Sequence, residues 1–76
     1  MSNKYSEALA AFLKSSGLSQ AKFADQVGSS QPTICHYAQG VKLPRKPVAQ
    51  RIDAATEGKV PFNLWQIVAI ERANIY

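Results

Sequence analysis

Between Ser30 and Gln39 the chain carries side chains suited to hydrogen bonding at base edges, with no acidic group among them. A helix that turns Ile34, Tyr37 and Ala38 inward directs Gln31, Pro32, Cys35, His36 and Gln39 outward, with Ser30 at its leading end. Gln31 is the strongest reader, because a glutamine amide can bond N6 and N7 of adenine together in the major groove. His36 can donate to a guanine acceptor or to a phosphate. Cys35 is small and weakly polar, which suits the methyl group of thymine. Base contacts are therefore expected from Gln31, Pro32, Cys35, His36 and Gln39.

Gln20, Ser30, Thr33, Lys42, Arg45 and Lys46 flank this face and are expected at the phosphate backbone, where contacts position a protein without reading sequence. Gln20 opens a helix whose dipole favours an anion at that end. Lys42, Arg45 and Lys46 follow the reading helix directly, while Arg51 and Lys59 are weaker candidates beside Asp53 and Glu57. Cys35 next to His36 invites a metal reading. Adjacent helical residues do not both point at one ion, and the chain holds no other Cys or His, so no metal site is expected. Nor is there a nucleophile with a base and an orienting group, or a glycine-rich phosphate loop. An enzyme, a cofactor and a small-molecule substrate are not expected.

Two crossed helices must hold this face in place. Ser19 is placed to cap a helix from Gln20 to Val27 that buries Phe23, Ala24 and Val27. Gly28 can take positive φ and open the turn. Ser30 caps the next helix, Pro32 sits in its first turn, and Gly40 ends it. Ala24 keeps the crossing close, Ile34 anchors the second helix on the first, and Tyr37 fills the gap one turn later. This is the spacing of a helix-turn-helix, whose second helix can enter a DNA major groove.

Upstream, Tyr5, Ala8, Leu9, Phe12 and Leu13 share one helical face from Asn3 to Ser16, with Ser2 or Asn3 as cap and Gly17 as stop. Downstream, two prolines forbid a long helix through the basic loop from Val41 to Pro47. A fourth helix is expected from near Pro47 to near Thr56, with Val48, Ile52 and Ala55 inward and Gly58 as terminator. In the tail, Leu64, Ile67, Val68 and Glu71 suit a fifth helix capped by Asn63. The β-branched run from Ile67 to Ile70 also suits a two-stranded hairpin, and so short a run does not discriminate.

The 76 residues make one domain, 1–76, with 61–76 a C-terminal segment for dimerisation; the fold class is all-α, four or five helices. Nine Lys and Arg against five Asp and Glu leave a charge of +4, which favours an anionic partner. The single cysteine rules out an internal disulfide, no apolar run approaches a membrane span, and the N-terminus lacks a signal-peptide pattern. A cytoplasmic protein with no membrane partner is expected. Trp65, with Leu64, Ile67, Val68 and Ile70, offers more apolar surface than a small domain readily hides, and a homodimer interface is expected there, carried by Leu64, Trp65, Ile67 and Val68.

Residues Ser19 to Gly40, and more loosely 5 to 62, resemble the Cro and repressor helix-turn-helix proteins of lambdoid phages. The segment SQPTICHYAQG, the basic loop and RIDAATEGKV look most like the Cro-like and YdaS-like branch. The resemblance implies a compact helical domain that binds operator DNA as a dimer and represses phage promoters in a bacterial host. It implies a phosphate contact for Gln20, base reading for Gln31, and groove-facing positions for Cys35, His36 and Gln39. Ser29 and His36 depart from the usual pattern. The alternatives are an antitoxin-type or host regulator with the same chemistry, and a protein-interaction module that has lost DNA binding.

Overall fold

A computed structural model describes residues 3–73, and among them the chain forms five α-helices: α1 (Lys4–Ser16), α2 (Gln20–Val27), α3 (Gln31–Gln39), α4 (Lys46–Ala55) and α5 (Phe62–Ala73). Local chemistry sets most of these boundaries. Asn3 caps α1 in a reciprocal box: its Oδ1 accepts from the Ser6 amide at 2.8 Å, and Ser6 Oγ accepts from the Asn3 amide at 2.7 Å. The alternative cap, Ser2, lies outside the described residues. Ser19 Oγ accepts from the Lys22 amide at 3.1 Å and Ser30 Oγ from the Thr33 amide at 3.4 Å. At Gly28, φ of +70° lets the Ser29 amide turn back onto the Ala24 carbonyl at 2.8 Å and close α2.

Helix α4 ends differently from the expectation. Glu57, not Gly58, is the first left-handed residue beyond it, with φ of 54°, and the Gly58 amide then reaches the Asp53 carbonyl at 3.0 Å. Over Phe62–Ala73 the tail is a helix, and among the described residues the hairpin alternative is not adopted. Val68 is buried, Leu64 and Trp65 pack against the core at helical spacing, and this packing overrides the β-branched preference of the run. Asn63 does not cap α5, because it lies inside the first turn. Asp53 of α4 does that work: its Oδ2 accepts from the Phe62 amide at 2.8 Å.

The core runs through all five helices. Tyr5 and Leu9 of α1, Phe23 and Val27 of α2, Ile34 of α3, Ile52 of α4 and Val68 of α5 are buried together, with Val60 from the α4–α5 connection. Phe12 and Phe23 meet with ring centroids 5.7 Å apart. Helix α3 lies against α1 and α2, α4 against α2, and α5 against α1 and α4. The reading helix is thus wedged, with Ile34 fully buried and Tyr37 nearly so. Val48 and Ala55 are partly buried against the core, and Ala49 joins Ile52 as the buried side of α4.

Tyr5 is almost fully buried, and its hydroxyl has no hydrogen-bond partner among the described residues. Burial holds its phenol well above the ordinary tyrosine value, with Tyr37 and Asp53 pushing the same way. A raised folded pKa adds stability that is fully present below the unfolded value of about 10 and is lost as pH climbs beyond it. Tyr5→Phe removes an unpaired buried hydroxyl, so it should be neutral or stabilising by about 1 kcal/mol at pH 7. Its advantage should widen at pH 11. Urea unfolding at the two pH values checks this; a clear loss at pH 7 would mean that the hydroxyl has a partner.

Candidate nucleic-acid interface

Helix α3 presents two unlike sides. Ile34 and Tyr37 are buried, whereas Gln31, Pro32 and Gln39 are exposed and Cys35 and His36 half-buried. The five side chains expected at base edges therefore do lie away from the core. Ala24 on α2, the helix packed against α3, is 2% exposed and part of the core. Gly40, with φ of +79°, ends α3; its amide returns to the Tyr37 carbonyl and the Val41 amide to the His36 carbonyl, at 3.2 and 3.0 Å.

Ser30 caps this helix at the Thr33 amide, and the two side chains also bond each other, with their hydroxyl oxygens 2.8 Å apart. One hydroxyl donates to the other, so a single O–H of the pair stays free to donate outward at the exposed head of α3. Gln20 stands half-buried as the first residue of α2.

Beyond Gly40 the chain turns basic. Lys42, Arg45 and Lys46 are exposed, while Pro44 between them is buried and Leu43 partly so. Burial raises the Tyr37 phenol, and the Arg45 guanidinium works against that rise. Arg45 is also the N-cap of α4 and makes no capping hydrogen bond, with Lys46 first in the helix. Two cations at the positive end of a helix dipole repel it unless an anion lies between them. No acidic residue occurs from Gln26 to Ile52, so nothing within this stretch supplies that anion.

A family model described as helix-turn-helix matches residues 9–60, which span the latter part of α1, α2, the turn at Gly28, α3 and α4. The chain belongs to the helix-turn-helix family. It is accordingly a DNA-binding domain of the kind found in transcription regulators. No match was found among curated proteins or among solved structures.

The geometry divides the remaining expected residues of this helix-turn-helix domain unevenly. Of the four assigned to a dimer interface, Val68 is only 4% exposed and belongs to the core, so it is not free to meet a second copy. Leu64 and Trp65 are half-buried against that core. Ile67, 48% exposed, is joined by Ile70, 61% exposed and part of the same expected apolar surface. Among the described residues no group of three metal-ligating side chains comes together, and no helix is long and apolar enough to cross a membrane.

Sequence reasoning missed the residues that tie α5 to the interface. The Trp65 indole N–H donates to the Pro44 carbonyl at 2.7 Å, and Arg72 Nη2 donates to the Gly40 carbonyl at 3.2 Å. Arg51, rated a weak phosphate candidate, brings its guanidinium to within 3.4 Å of where a Cβ on Gly28 would stand. The first two contacts join residues far apart in sequence, and no local pattern announces them.

Proposed function

We propose that this helix-turn-helix domain is a sequence-specific, double-stranded DNA-binding transcriptional repressor of the phage Cro type. It binds a near-palindromic operator with α3 in the major groove. One observation carries the reading: the solvent side of α3 is polar, free of acidic groups and bordered at its C-terminal end by three exposed cations. In this reading Gln31, Pro32, Cys35, His36 and Gln39 meet base edges. Gln20, Ser30, Thr33, Lys42, Arg45 and Lys46 meet phosphates. An interaction module that had lost DNA binding would be expected to carry an acidic or bulky apolar face on α3 instead.

The second copy docks through α5, where Ile67 and Ile70 are exposed and Leu64 and Trp65 are only partly buried. A two-fold pair sets the recognition helices about one DNA turn, roughly 34 Å, apart. Such a regulator acts in the cytoplasm of a bacterial host and needs no cofactor.

Arg45→Ala tests the positioning half of this division. Affinity should fall by the same factor for the preferred duplex and for unrelated duplexes, and the slope of log affinity against log salt should drop by about one per protomer. Fluorescence anisotropy across a salt series measures both. A loss confined to one duplex would make Arg45 a reader.

A further inference from the structure

We infer that α5 sets the position of the basic loop, and that Trp65 and Arg72 are positioning residues for the phosphate contacts of Lys42 and Arg45. The inference rests on the DNA-binding reading for its consequence, but its structural basis is independent. The loop between α3 and α4 has no regular secondary structure to fix it. It is tied at both ends to one helix. At the α3 end, the Arg72 guanidinium donates to the carbonyl of Gly40, the left-handed residue that ends α3 and opens the loop. At the α4 end, the Trp65 indole donates to the Pro44 carbonyl, directly before Arg45.

The second tie is braced. Trp65 stacks on Phe62 with ring centroids 5.2 Å apart and planes inclined by 20°, and the Phe62 amide is itself held by Asp53. Pro44 is buried, so its carbonyl needs a partner within the protein. Loop cations that are fixed before binding lose less freedom on meeting phosphate than cations on a slack loop. The last helix of the chain thereby contributes to DNA affinity without touching DNA.

Trypsin provides a readout that needs no DNA, because Lys42 and Arg45 are cleavage points inside the loop and Lys22 is a reference inside α2. Trp65→Phe keeps an aromatic ring and removes the donor. Cleavage after Arg45 should rise roughly two- to tenfold, the change in open population expected when one restraining hydrogen bond is lost. Arg72→Gln should do the same after Lys42. Cleavage after Lys22 should not change in either variant.

Each full-length variant should also bind the preferred and an unrelated duplex more weakly by one common factor, roughly two- to tenfold. Unchanged cleavage at both loop bonds would overturn the inference. So would an equal rise at Lys22, which would reduce both residues to general stability. A loss restricted to the preferred duplex would likewise contradict it. If the wild-type chain bound no duplex, the DNA reading would fail while the cleavage pattern still decided whether α5 holds the loop.

Discussion

Replacing Ile34 with alanine should cost about 2–5 kcal/mol of folding stability and, with it, most of the DNA binding. Ile34 is fully buried where α3 meets α1 and α2, so its loss opens a cavity under the recognition helix. A domain of this size has roughly 4–11 kcal/mol in total, which makes that loss a large fraction. Ile34→Val removes one methylene and should cost only about 0.5–1.5 kcal/mol, leaving binding nearly intact. Urea unfolding followed by circular dichroism, with anisotropy on the same samples, separates the two variants. A cost below about 1 kcal/mol for the alanine would mean that α3 is anchored elsewhere.

Gln31→Ala should leave the fold unchanged and relax sequence preference at one base pair in each half-site, by roughly 1–3 kcal/mol there. Gln31 is exposed at the start of α3 and has no core contact to lose. The amide can present one of its N–H donors beside its carbonyl acceptor in a plane, which matches N7 and N6 of adenine. Duplexes substituted at every position of the half-site should show a flattened preference at one position only. The contrast with Arg45→Ala is the informative part. If both variants weakened every duplex alike, reading and positioning would not be divided between α3 and the loop.

Much of the first two-thirds of the fold is legible because it is local. Ser19 and Ser30 mark helix starts, Gly17, Gly28 and Gly40 take positive φ at helix ends, and apolar residues recur at helical spacing between them. The outward face of α3 follows directly from burying Ile34 and Tyr37. Farther along, the deciding contacts are long-range. Asp53 caps α5 from another helix, so Asn63, the nearest polar residue with the right chemistry, is passed over. Val68 reads as surplus apolar surface until α5 lies against α1 and α4, whereupon it becomes core and Ile67 and Ile70 remain outside. Trp65 suggests an interface because it is large and apolar, but its indole N–H decides its place by finding a carbonyl on the basic loop. Glu57 takes a left-handed conformation directly before Gly58, which adopts positive φ as well, so the glycine alone does not mark where the turn begins.

The most direct test of the DNA-reading surface is selection of wild-type protein against a pool of randomised duplexes at two salt concentrations. Enrichment of a near-palindrome whose half-sites lie about one helical turn apart, with affinity falling steeply as salt rises, is the expected result. An unenriched pool, or binding indifferent to salt, would contradict the assignment of α3 and its basic loop to DNA. Enrichment of a lone half-site would keep that assignment and remove the dimer.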